Sequence, residues 1–135
     1  MIFFQNDYIS IHYEPENKLA HTRWHQLAPS NEYRKALNKY LHLVKDYPVA
    51  NWIDDAAFAG KTRPNDQDWT TTEWLPKFAN YGVKQLALLV HDDKTQRAVE
   101  LLFKNAPGPV PFEVQFFHDL ASARAWTLDD HQAVA

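Results

Sequence analysis

Leu86-Ala87-Leu88-Leu89-Val90 is an unbroken apolar run, set between Gly82-Val83-Lys84-Gln85 and His91-Asp92-Asp93. A strand wet on one face alternates apolar with polar residues. A continuous run this short reads instead as a strand covered on both faces. Downstream, Asp92 or Asp93 offers an N-cap to a helix whose Ala98, Val99, Leu102 and Phe103 recur at helical spacing. Upstream, a helix starting near Asn65 or Asp66 carries Trp69, Trp74, Phe78 and Tyr81. Pro76 lacks an amide donor and is expected to kink that helix, and Gly82 to end it. Helix, buried strand, helix implies a parallel sheet with covered faces.

Further out, Val49 to Ile53 is a short strand ending at Asp54-Asp55. It follows a helix with Ser30 as N-cap, Glu32 in its first turn, and a stripe of Tyr33, Ala36, Leu37, Tyr40, Leu41 and Val44; Pro48 stops it. Before that helix, Ile9, Ile11 and Tyr13 alternate with Ser10 and His12. A turn centred on Glu16-Asn17 pairs Tyr13 with Ala20, Ile11 with Thr22 and Ile9 with Trp24, and keeps Ser10, His12, His21 and Arg23 on the other, wet face. A slip of one residue would mix the two faces, so this register is favoured. At the other end, Phe112, Val114 and Phe116 alternate with Glu113 and Gln115. A last helix, roughly 119–128, packs Leu120, Ala123, Trp126 and Thr127. The stiff Pro107-Gly108-Pro109-Val110-Pro111 is a turn, and 131–135 a frayed tail.

The chain has 135 residues, 45% apolar, with 14 Lys+Arg against 17 Asp+Glu. That length suits one domain, here 1–130, with a core that needs no staples. The net charge of −3 argues against nucleic acid, which requires a clustered basic face. The absence of cysteine excludes a disulfide framework, a thiolate metal site and a cysteine nucleophile. No apolar run approaches the roughly 18 residues of a membrane span. Met1 to Asp7 lacks the basic and apolar regions of a signal peptide, so a cytoplasmic domain is expected.

Several chemistries can be weighed residue by residue. Gly60-Lys61-Thr62 ends like a phosphate loop, but the required earlier glycine falls on Asp55, whose charge repels phosphate. Asp54-Asp55 and Asp92-Asp93 each follow a strand, so four carboxylates could converge on Mg²⁺. The preferred reading makes Asp93 a cap and the others solvated loop charges. His12 faces His21 across the hairpin, yet His25 lies about 13 Å along the strand from His21, so a zinc site lacks a third ligand. Ser10, Ser30 and Ser122 sit in no nucleophile elbow. The aromatics Trp52, Phe58, Trp69, Trp74 and Phe78 gather on one segment. They pack as ordinary core or line a pocket, with the amides of Asp54 and Asp55 and the Lys61 side chain as its polar groups.

Trp52-Ile53-Asp54-Asp55, then Asp66-Gln67-Asp68-Trp69, Trp74-Leu75-Pro76 and Gly82-Val83-Lys84 come in an order that resembles the SpoIIAA-like branch of the STAS domains. Phe112-Glu113-Val114-Gln115-Phe116-Phe117 and Ala125-Trp126 extend the likeness over nearly the whole chain. The resemblance implies a single α/β domain, STAS-like (SpoIIAA-like), with a mixed sheet of about five strands, an N-terminal antiparallel hairpin and about four helices. It implies regulation or small-ligand carriage rather than catalysis. STAS proteins of the sporulation type switch partners through a phosphorylated Ser or Thr after the third strand, but 54–61 holds no hydroxyl. The first expectation is therefore a non-enzymatic regulatory or interaction domain without that switch. It would bind a protein partner or ligand through Trp52, Asp54, Asp55, Phe58, Lys61, Trp69, Trp74 and Phe78, with no cofactor and no metal. The second is a carrier of a small apolar molecule or lipid, with peripheral membrane contact. The third is a metal-dependent enzyme using the acidic pairs. An open sheet edge leaves room for a homodimer.

Overall fold

The hairpin register expected from alternation is the one found in the computed structural model, which describes residues 1–58 and 61–128. β2 (Ile9–Glu14) and β3 (Leu19–Trp24) run antiparallel with Ile9 opposite Trp24, Ile11 opposite Thr22, His12 opposite His21 and Tyr13 opposite Ala20. A tight 3-10 turn, Pro15–Asn17, joins them, and Lys18 closes it in the left-handed region at φ 48°. The wet face is only partly wet: His12 and Arg23 are exposed, while Ser10 is buried.

One strand was not anticipated. β1 (Ile2–Gln5) adds to β2, so the sheet has six strands among the described residues rather than about five. It is short and half-exposed, and its register shifts between Ile2 and Phe4. A bulged edge strand of this kind has no alternation to read.

The sheet runs β1 to β6 in chain order, with β4 (Asn51–Asp55), β5 (Gln85–Leu89) and β6 (Glu113–Phe117) parallel to β3. When parallel strands are added in one direction with one hand of crossover, every connecting helix lands on the same face. Accordingly α1 (Ser30–Asp46), the helix between β4 and β5, and α4 (Asp93–Lys104) share one core with Ile11, Trp52, Leu86 and Leu88. The opposite face carries a small core of Leu19, Ile53, Ala87 and Leu89 under Ala123 of α5 (Leu120–Thr127). β5 is buried along its whole length, as its unbroken apolar run requires. A bidentate ion pair from Arg124 of α5 to Glu14 of β2, at 2.7 and 3.1 Å, reaches over the same face. Leu120, expected to pack, is exposed, because Asp119 caps α5 through Ser122 and leaves Leu120 on its outer side.

The helix between β4 and β5 is composite. It starts as α2 (Pro64–Trp69), passes through a π-helical turn (Thr70–Trp74) and ends as α3 (Leu75–Phe78). The Leu75 amide bonds five residues back to Thr70, one residue before Pro76 would have broken the regular ladder. The expected proline kink is thus taken up by a π turn. Two expected caps shift. Pro29, not Ser30, precedes α1, and Arg63 precedes α2, with Pro64 in its first turn. Of the two candidates expected for α4, Asp92 is the cap, accepting the Thr95 amide at 2.7 Å. Gly82, in the left-handed region at φ 73°, lies beyond the end of α3 rather than at its cap. The 131–135 tail and Gly60 of the phosphate-loop match lie outside the described residues. No helix among the described residues is long and apolar enough to cross a membrane.

Candidate functional site

β4 runs to Asp55, two residues further than its apolar run suggests. Strand alternation then decides where each acid goes. Trp52 and Asp54 face α1 and α3; Ile53 and Asp55 face α5. Asp54 is therefore not the solvated loop charge expected from sequence. Its Oδ1 accepts the Tyr40 hydroxyl of α1 at 2.8 Å and the Thr22 hydroxyl of β3. Thr22 in turn accepts the Trp52 indole N–H at 3.3 Å. No cation pairs with Asp54 among the described residues. Burial pushes its carboxyl up to about 6, with the two hydroxyl donors pulling the other way and the charge of Asp55 adding to the rise. The same burial, and the Asp54 charge, raise the Tyr40 phenol well above its ordinary range.

Aromatic rings form a wall beside this carboxylate. Tyr40 stacks on Trp52 and Trp74 stacks on Phe78, both with centroids 4.7 Å apart, and Trp52 meets Phe78 edge to face at 5.5 Å. The Trp74 indole N–H donates to the Leu37 carbonyl at 2.7 Å, which fixes the ring. These rings pack tightly on one another but do not fill the space toward β5 and α4. A partly enclosed cavity of about 120 Å³ remains between Trp52, Trp74, Phe78, Leu86, Leu88 and Val99. Its lining extends to the C-terminal ends of β3 and β4, with Trp24, Leu27, Phe58 and Thr62. Ligands of open α/β sheets sit at that end of the strands. Packed core and lined pocket, alternatives in the sequence, coexist here.

Asp54 has protein on every side yet keeps some accessible surface, and it lines the cavity. Its Oδ2 has no hydrogen-bond partner among the described residues. No sealed side-chain oxygen or nitrogen among those residues is left unpaired. Oδ2 is thus the accessible, unpaired oxygen of a residue that lines the cavity.

Of the eight residues singled out in the sequence, Trp52, Asp54, Asp55, Phe58, Trp74 and Phe78 line the cavity. Asp55 turns its carboxylate away, accepting the Ala57 amide at 3.0 Å and lying 3.5 Å from His91 Nε2. Lys61 is exposed and does not line it. Trp69 sits outside, edge to face with Tyr33 at 6.5 Å and under the Arg34 guanidinium at 5.0 Å. Sequence reading passed over Tyr40, Thr22 and Leu88. Tyr40 stood in the α1 stripe and Thr22 in the hairpin register, but nothing local tied either to Asp54. The four carboxylates do not converge: Asp54 and Asp55 oppose each other across the sheet, and Asp92 is occupied as a cap. No three His, Asp or Glu gather as a metal site among the described residues.

A second polar group holds the helices that cover the cavity. Asp66 in the first turn of α2 is buried; it accepts Ser30 Oγ at 2.6 Å and Arg34 Nε at 2.9 Å from α1. This long-range bond is why Ser30 does not cap α1. Beside it, Tyr33 shares a 2.7 Å hydrogen bond with Thr70 at the start of the π turn, and burial pushes its phenol up to about 12. Arg34→Met is expected to lower stability by about 2 kcal/mol, the scale for a hydrogen bond to a buried charge, reduced by the partial exposure of Arg34. Urea denaturation reads this directly. A loss under about 0.5 kcal/mol would mean that Ser30 alone satisfies Asp66.

No protein-family model, curated protein or solved structure matches the chain.

Proposed function

We propose that this protein binds a small, largely apolar molecule in the cavity between its sheet and its helices, as a carrier or sensor that performs no chemistry on it. The observation that carries this reading is the partly enclosed space of about 120 Å³, walled by Trp52, Trp74 and Phe78 and reaching the C-terminal ends of β3 and β4. Small-molecule sites are apolar clefts with few polar groups. An engineered apolar cavity of about 150 Å³ already takes up benzene. The volume fits a ligand core near the size of one ring, with room for a longer tail only through the mouth. The STAS-like motifs imply either partner regulation or ligand carriage, and the cavity favours carriage. A lipid chain is too large for the enclosed part.

Titration with toluene, followed by methyl NMR, tests the reading. The methyls of Leu37, Leu86, Leu88 and Leu102, which line the cavity, are expected to shift saturably. The exposed Leu101 methyls should stay put. Saturable binding also raises stability, by about 2.7 kcal/mol at a hundred times Kd. Shifts that do not saturate, or that fall on exposed methyls alone, would reject the site.

A further inference from the structure

We propose that the molecule this cavity selects is a small cationic amine with an apolar body of about one ring, its ammonium group hydrogen-bonded to the free oxygen of Asp54. This rests on the reading of the cavity as a ligand site and adds the chemistry of the ligand.

Among the described residues, only two that line the cavity carry charge, Asp54 and Asp55, and both are acids. Asp55 spends its carboxylate on Ala57 and His91, on the far side of the sheet. Asp54 aims inward, with Oδ1 held by Tyr40 and Thr22 and Oδ2 open. Two hydroxyl donors on one oxygen fix the orientation of the group and leave its other oxygen as a directed acceptor. What the site lacks is a positive charge. Buried charges are normally paired, because an isolated one is costly. Here no cation among the described residues meets Asp54, and the open side of the carboxylate faces an apolar space large enough for a guest. A bound ammonium would supply both the missing charge and the missing donor. The aromatic wall suits the rest of such a ligand, since ring faces attract both apolar groups and cations. An anionic ligand would meet an unscreened carboxylate at short range, and a neutral hydrocarbon would leave Oδ2 unpaired.

The groups that face Asp54 are Tyr40 and Tyr33 from α1, Thr22 from β3, and Asp55 beside it. β5, the π turn, α3 and α4 present only uncharged side chains to the cavity. Protonation of Asp54, which burial brings on at about pH 6, would therefore abolish the preference for a cation, with no other charged group among the described residues to replace it.

The test compares benzylamine, toluene and benzoate, three guests of one ring size, by methyl NMR on the intact chain and on Asp54→Asn. At pH 7.5, benzylamine is expected to bind roughly tenfold or more tightly than toluene, in keeping with a charge-assisted hydrogen bond, and benzoate not to bind. At pH 5, and in Asp54→Asn at either pH, benzylamine should fall to the level of toluene or below it. Toluene binding by Asp54→Asn shows that the variant is folded with its cavity intact. Toluene binding with no preference for the amine at pH 7.5, or a preference for benzoate, overturns this inference and leaves the apolar site standing. A preference for the amine that survives in Asp54→Asn also overturns it. If none of the three binds the wild-type chain, the cavity reading and this one fail together.

Discussion

Trp52→Ala is expected to destabilise the protein by about 3–5 kcal/mol, the range for removing a fully buried large aromatic. Trp52 has no exposed surface. Its ring stacks on Tyr40 and meets Phe78, and its N–H reaches Thr22. Deletion costs both the transfer energy of the ring and the void left behind. The void penalty falls when neighbours collapse inward, but collapse is hindered here because one neighbour is already a cavity of about 120 Å³. The upper half of the range is therefore the better expectation. Trp52→Phe keeps a ring in place and removes the N–H, for about 1–2 kcal/mol. Urea midpoints at constant m measure both. A loss under about 1 kcal/mol for the alanine variant would contradict the aromatic wall as the centre of the core.

Asp54→Asn is expected to do the opposite and stabilise the fold at neutral pH. The folded protein holds this carboxyl at about 6 against an ordinary 3.8. A folded-state pKa above the unfolded value means the native state binds the proton more tightly. The stability from that proton is present in full below the unfolded pKa. It is lost as pH rises from about 4 through 6, and stability is flat above. A gap of about two units corresponds to about 3 kcal/mol. Asparagine carries no charge and can still accept the Tyr40 hydroxyl, so Asp54→Asn should gain about 2–3 kcal/mol at pH 8 and nearly nothing at pH 4. His21 titrates in part of the same window with the opposite sign, because burial, His12 and Arg124 hold it below its ordinary range. The difference between wild type and Asp54→Asn at each pH cancels that contribution. A residue that costs stability where it stands is accounted for by what it binds. An Asp54→Asn variant less stable than wild type at pH 8 would make Asp54 a structural hydrogen-bond acceptor instead.

The parts of the fold visible in the sequence are those fixed by face periodicity. The β2–β3 register followed from keeping Ile9, Ile11 and Tyr13 on one side, and β5 from a run with no polar break. β1 has four residues, a bulge and half-exposed side chains, so periodicity offers nothing to read. The caps shifted where a distant partner outbid the local one: Ser30 bonds Asp66, thirty-six positions away, rather than its own helix.

The candidate site was half legible for a related reason. Its aromatics stand out in any reading, but the strand reaching Asp54 was ended at Ile53. Two residues of strand change a solvated loop acid into an inward-facing one. Lys61 and Trp69 belong to the aromatic segment in sequence but not to the cavity in space. The packing of α1 against α2 instead sets Trp69 beneath Arg34, outside the cavity. The cavity is a volume no side chain fills, and no residue encodes it singly.

Titration of the Asp54 carboxyl by carbon-13 NMR is the most direct test of an inward-facing, unpaired acid lining the cavity. Its resonance, assigned by comparison with Asp54→Asn, should move with a midpoint near 6. A midpoint at or below 3.8 would mean that the carboxylate is solvated or already paired with a cation. The cavity would then lose the acceptor on which its selectivity depends.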